Sequence, residues 1–254
     1  GFSLGNKGAY NTNASTYASW TFRKQPKFFD VVTYTVTGAN TTVAHNLGAV
    51  PGCIIVRRTD AAGAWQVYHG SLANTQYVVL NTTAAVATGA TRWNSTTPTS
   101  YVFSLGTDAT VNASGGSYVA YLFASNAGGF GASGADNAIS CGTYSGNSGT
   151  QEINIGYEAQ WVLIKRTDTT GDWVLYDTMR GMANSSDNQP KLLANTSAAE
   201  VADFRIYAWA QGFGFNNDSS PAVNATGGTY IYIAIRRGPM KTPTTGTSVY
   251  TANN

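Results

Sequence analysis

The chain reads as one short strand after another. Val31–Thr37 alternates apolar residues with threonine, the two-residue rhythm of a strand with unlike faces. Cys53–Thr59 is an apolar run that turns polar, as a buried strand does when it leaves a core. Trp65–Tyr68 follows it across Asp60-Ala61-Ala62-Gly63. Aspartate can cap its own turn and glycine can take a positive φ, so this stretch predicts a hairpin. Tyr77–Leu80, Tyr101–Leu105 and Ser117–Phe123 add strands, and Asn112-Ala113-Ser114-Gly115-Gly116 predicts another tight turn. One helical hint is present: Ser197 and Glu200 have capping-box spacing inside Thr196–Glu200, with Thr82–Ala85 as its counterpart.

The pattern then repeats. Aligning Asn46–Tyr68 with Asn154–Tyr176 pairs Asn46/Asn154, Gly48/Gly156, Arg58/Arg166, Thr59/Thr167, Asp60/Asp168, Gly63/Gly171, Trp65/Trp173 and Tyr68/Tyr176. Later, Asn112–Tyr118 matches Asn224–Tyr230, so the second copy has gained about four residues, placed by their polarity near Arg180–Lys191. A third, partial copy opens the chain: Phe2-Ser3-Leu4-Gly5 equals Phe103-Ser104-Leu105-Gly106, and Tyr17 falls on Tyr118. Short strands at regular spacing predict an all-β fold of two tandem β-sandwich or jelly-roll repeats with an extra N-terminal strand pair. The divisions expected are a terminal strand pair over 1–27, which completes a preceding or neighbouring unit, and a first repeat over 28–124. A glycine-rich connection over 125–137, a second repeat over 138–238 and an extended arm or linker over 239–254 follow.

Composition narrows the function. Apolar residues make up 43% of the 254, enough for a core, whereas charged residues make up only 11%, under half the usual share. Fifteen Lys and Arg against 13 Asp and Glu leave a net charge of +2. That disfavours a nucleic-acid partner, which calls for a concentrated basic face. No apolar run is long enough for a membrane span. The two cysteines are too few for a zinc site; a buried thiol is expected at Cys53, and nothing in the spacing supports a Cys53–Cys141 disulfide.

Neither His45 nor His69 is repeated, and no nucleophile elbow or phosphate loop occurs. The expectation is a protein without catalytic, metal or cofactor residues. Asp60, Gly63, Trp65 and Tyr68, with Asp168, Gly171, Trp173 and Tyr176, define the repeat and are expected to be structural: turn caps and core aromatics. Trp93 and Trp209 are not repeated. Copies diverge where function differs, so these two are the candidate ligand contacts. Arg236-Arg237 and Lys241 form a small basic cluster, expected to be a solvated strand end.

Several ordered stretches carry a family resemblance: Ala44–Pro51, Trp65–Tyr68, Asp177–Gly181, Asn195–Glu200 and Ile233–Lys241. They resemble repeat modules in virion proteins of tailed bacteriophages, especially marine ones, of the tail-fibre or appendage class. The resemblance implies lectin-like or laminin-G-like sandwiches on a virion. It also implies other virion proteins as partners, a homo-oligomer and host-surface attachment, with a surface glycan as a possible target. The second copy departs from the first at His45 and Pro51, which become Ile153 and Ala159. A capsid decoration protein and a carbohydrate-binding module of a secreted protein are the competing readings.

Overall fold

A strand that is apolar on both faces needs cover on both faces, and this requirement organises the protein. The computed structural model describes residues 2–131, 133–183, 189–204, 206–236 and 238. After a single helical turn, α1 (Gly8–Asn11), the first half comprises β1 (Phe29–Thr35), β2 (Thr41–Ala44), β3 (Pro51–Arg58), β4 (Gln66–His69), β5 (Gln76–Val79), β6 (Ala87–Thr88), β7 (Val102–Leu105), a second helical turn α2 (Ala109–Asn112) and β8 (Ser117–Ala124). The second half comprises β9 (Ile139–Ser145), β10 (Gln151–Asn154), β11 (Ala159–Arg166), β12 (Trp173–Asp177), β13 (Gln189–Leu193), β14 (Val201–Phe204), β15 (Ile206–Trp209), β16 (Gly212–Phe215) and β17 (Thr229–Arg236).

The protein is all-β and its sheets are antiparallel. In the first half a six-stranded sheet runs β1-β8-β3-β4-β5-β6, and β2 pairs with β7 in a smaller sheet. The second half has a six-stranded sheet in the corresponding order, β9-β17-β11-β12-β13-β14, and a smaller sheet β10-β16-β15. The strand β15 has no counterpart in the first half.

Successive side chains leave a strand on opposite faces, and here each face meets a different core. From β3, Ile54 and Val56 join Val43, Phe103 and Leu105 beneath the small sheet. The intervening Cys53 and Ile55 face the other way. They pack with Leu163, Ile231, Ile233 and Ile235 of the second half. On β17, Tyr230, Tyr232 and Ala234 fill the second half's own core with Phe213 and Phe215. The two large sheets therefore lie against each other through an apolar seam, with a small sheet on each outer side. The uninterrupted apolar runs of β3, β11 and β17 are the mark of sheets covered twice. Gly52 is required at the seam, since a β-carbon there would stand 2.4 Å from that of Ser125 and 2.8 Å from that of Cys141. Polar ties also cross it: Trp173 Nε1 donates to the Val79 carbonyl at 2.9 Å, and Val86 N donates to the Thr167 carbonyl at 3.0 Å.

A corner motif recurs three times. Asn112 Nδ2 donates to the Gly106 carbonyl at 2.7 Å, Tyr118 OH donates to the Ala109 carbonyl at 2.8 Å, and Ala113 N donates to that hydroxyl at 2.9 Å. Asn224 and Tyr230 repeat these bonds to Asp218, Pro221 and Ala225 at 2.8, 3.0 and 2.9 Å. Asn11 and Tyr17 repeat them to Gly5, Gly8 and Thr12 at 2.8, 3.1 and 3.0 Å. The partial N-terminal copy thus keeps the corner but not the strands: residues 2–24 form no strand, contrary to the expected terminal pair. The reason is pairing. A strand exists only beside another, and residues 2–24 pair with no strand among the described residues.

Two local expectations also change. Gly63 and Gly171 are not at positive φ, and Asp60 caps no turn of its own. Its carboxylate instead takes Arg58 Nε at 2.8 Å and Ser117 N at 3.2 Å, and Asp168 does the same with Arg166 at 3.0 Å and Thr229 at 3.0 Å. Each aspartate clips the end of one strand to the start of its neighbour. The stretch Ser197–Glu200 forms no helix; Ala198 N bonds Thr196 Oγ1 at 3.2 Å, and Glu200 pairs with Arg180 at 2.6 Å. The expected arm over 239–254 lies outside the described residues, as do Arg237 and Lys241 of the expected basic cluster. Arg236, at the end of β17, pairs with Asp136 at 3.2 Å.

Candidate functional site

Trp93 lies in the first half's core at 2% exposure, edge-on to Tyr68, and its indole N–H donates to the Gln76 carbonyl at 3.2 Å. A ring enclosed in this way offers no face to a ligand, so Trp93 is corrected from candidate contact to core residue. Trp65 and Trp173 belong to the seam core. Trp173 is fully packed there, and Trp65 is half-buried, stacked on Tyr121 with the Arg57 guanidinium 5.7 Å from its ring centre. Tyr68 and Tyr176 are buried in the cores of their own halves. Of the eight repeat-defining residues, the two aspartates are clips, Trp173 and the two tyrosines are core, Trp65 is half-buried at the seam, and the two glycines lie in the connections between strands.

Trp209 is different. On β15, Ile206 and Ala208 point into the core, which turns Tyr207 and Trp209 to the outer face. The neighbouring strand β16 brings Phe213 and Phe215 inward and leaves Gly212 and Gly214 outward. Register pairs Trp209 with Gly212, then Asn154; the next row is Tyr207, Gly214 and Glu152. The rings fill the space that side chains would occupy. A β-carbon at Gly214 would stand 2.7 Å from Tyr207 Cζ, and one at Gly212 would stand 3.1 Å from Trp209 Nε1. Each ring therefore lies against a glycine and is half-buried, with the Trp209 Nε1 edge turned inward, and the Tyr207 hydroxyl reaches β10. There Tyr207 OH donates to Glu152 Oε1 at 3.3 Å, and Asn154 Nδ2 donates to Gln211 Oε1 at 2.9 Å. Burial, reinforced by the neighbouring Glu152 carboxylate, raises the Tyr207 pKa and keeps the phenol protonated. The sequence pointed to Trp209 but missed Tyr207. The repeating aromatic–x–aromatic and Gly–x–Gly of Ile206–Trp209 and Gly212–Phe215 was the available signal.

A second feature is a cleft of about 660 Å³ between residues 17–25 and the second half. Phe22, Phe28, Phe130, Trp161 and Ile235 give it an apolar wall. At its mouth, Trp20 Nε1 and Arg180 Nε both donate to Asp177 Oδ2, at 3.1 and 2.7 Å, and the Arg180 guanidinium lies 5.5 Å from the centre of the Trp20 ring. This pairing fastens the N-terminal segment to the second half.

Four further reactive groups take part in the packing of the halves. Ser71 N donates to His69 Nδ1 at 3.2 Å, which leaves Nε2 to donate to the Tyr232 carbonyl across the seam at 3.0 Å. Burial lowers the His69 pKa to about 4. Lys165 is buried and gives its protons to the Thr83 and Gly171 carbonyls at 3.0 and 2.5 Å, and burial lowers its pKa to about 8. Cys53 and Cys141 are free thiols whose ionisation burial pushes far above the ordinary range. Among the described residues no three His, Cys, Asp or Glu side chains cluster as metal ligands, and no helix is long and apolar enough to cross a membrane.

A family model described as a domain of unknown function, DUF7483, matches residues 1–239. No curated protein and no solved structure matches the chain.

Proposed function

We propose, from the premise that the chain belongs to the DUF7483 family, that it is a non-enzymatic structural protein of a bacteriophage particle. In this reading it sits in a tail fibre or appendage, contacts other virion proteins as a homo-oligomer and serves attachment to the host surface. The observation that carries the reading is the serial character of the molecule. Two halves with one strand order are fused through an apolar seam, and the corner motif of a third unit precedes them. In that third corner Phe2, Leu4, Tyr10 and Tyr17 are 61, 49, 46 and 51% exposed, whereas their counterparts Phe103, Leu105, Val111 and Tyr118 are 1, 0, 0 and 1% exposed. Such a face complements another body of the same kind, and stacking of like bodies suits a spacer or fibre. The sequence resemblance supplies the phage context. A surface of Thr, Asn, Ser and Gly with few charges makes contacts that salt screens weakly.

The test is immunogold labelling of intact particles with antibodies to this chain. Label on tails or appendages is the expected result; a regular lattice of label on heads would make it a capsid decoration protein, and particles free of label would refute a virion role. The aromatic outer face of β15 and β16 favours a second reading, a carbohydrate-binding module of a secreted protein, which label-free particles together with glycan binding would support.

A further inference from the structure

The geometry points to a binding site for a neutral glycan on the outer face of β10-β16-β15, with Tyr207 and Trp209 as its floor. The inference deepens the attachment reading above and would supply its ligand class. Three observations choose the ligand. The first is shape. Two half-buried aromatic rings stand in adjacent rows against Gly212 and Gly214 on one face of the sheet, and the apolar C–H face of a pyranose ring stacks on aromatic rings. Aromatic contact supplies large area at little conformational cost.

The second is the rim. Glu152, Asn154 and Gln211 are exposed beside the rings and carry carboxylate and amide groups at the height of the sheet. These groups suit the hydroxyls at the edge of a sugar stacked on the floor, as acceptors and, for the amides, donors. The same rim argues against a nucleic acid, whose bases could also stack. The strands β10, β15 and β16 hold no Lys or Arg, and their charged side chain is Glu152. A phosphate or an acidic sugar would meet repulsion there.

The third is size. Three strands about 4.8 Å apart and four residues long span on the order of 10 by 13 Å. That is far below the roughly 800 Å² that each partner gives to a stable protein interface. A narrow chain fits and a folded protein does not. The floor is also confined to the second half. In the first half β2 pairs with β7 alone, and the positions of Gly212 and Gly214 fall to Val102 and Ser104.

The experiment uses the full 254-residue chain against a panel of cellohexaose, chitohexaose, maltohexaose and a neutral glycan array, with sialylated and sulfated glycans alongside, read by tryptophan fluorescence and direct binding. At least one neutral glycan should bind. Trp209→Ala and Tyr207→Ala should each weaken that binding tenfold or more, whereas Trp20→Ala, in the distant cleft, should change it less than twofold. Tyr207→Phe keeps the ring and should hold affinity within about threefold, which separates loss of the floor from loss of fold; circular dichroism of each variant checks the latter. Failure of every neutral glycan to bind, binding confined to anionic glycans, or affinity indifferent to Trp209→Ala would each overturn the site. Immunogold labelling of particles is independent of all three, so the site and the virion role fail separately.

Discussion

At the scale of single residues, the buried polar groups hold the corners and the seam. His69 is kept neutral by its surroundings and bridges the halves through one proton. The unfolded chain takes up a proton near pH 6.5, the folded chain only near pH 4. Between these values the unfolded state binds more protons, so stability falls as pH falls, by a total on the order of 3 kcal/mol, and levels below pH 4. His45 acts in the same direction. Denaturant melts from pH 7 to 4 should show this loss in the wild type and a smaller one in His69→Gln; equal slopes would remove His69 as the cause. Asn224 offers a sharper contrast. Its amide serves Gly149, Asp218 and Asn147 with no exposure, so Asn224→Ala should cost about 2–4 kcal/mol through stranded backbone groups. Asn11 makes the equivalent bond to Gly5 in the open, where water replaces it, and Asn11→Ala should cost under about 0.5 kcal/mol. Chemical denaturation of both variants checks the pair of values.

At the scale of elements, a strand with two buried faces answers to two cores. On β17, Tyr232 faces its own half and Ile233 faces the seam. Ile233→Ala should therefore cost the full 2–5 kcal/mol of a core truncation, although its side chain lies outside the core of its own half. A loss below 1 kcal/mol in a thermal melt would mean that the seam is loose. The glycines of β16 obey a different constraint. Gly214→Ala would drive a methyl toward the Tyr207 ring at 2.7 Å and the Gln151 carbonyl at 2.8 Å. The ring must lift, so Tyr207 should become more accessible to solvent perturbation, with stability falling by about 1–3 kcal/mol. These cases also mark what the residue pattern made legible. Strand positions, the repeat and the structural role of its aromatics could be read from period and self-similarity. The clip formed by Asp60 could not, because its partner Ser117 lies far along the chain.

At the scale of the whole molecule, the seam decides whether the halves behave as two bodies or one. Its core draws on both halves, and His69, Trp173 and Lys165 each donate across it. Calorimetry should give one cooperative transition whose van't Hoff and calorimetric enthalpies agree; two resolved transitions would mean that each half stands alone. The sequence by itself determined the all-β character, the duplicated strand pattern and the low charge. These follow from side-chain chemistry and short-range periodicity, which each segment carries wherever it sits. Only the tertiary structure decided that both faces of β3, β11 and β17 are covered, that Trp93 is enclosed while Trp209 is half-buried on an outer face, and that residues 2–24 keep a corner but no strand. Those outcomes depend on which distant surface comes to rest against each segment, and one segment's residues hold no record of its neighbour.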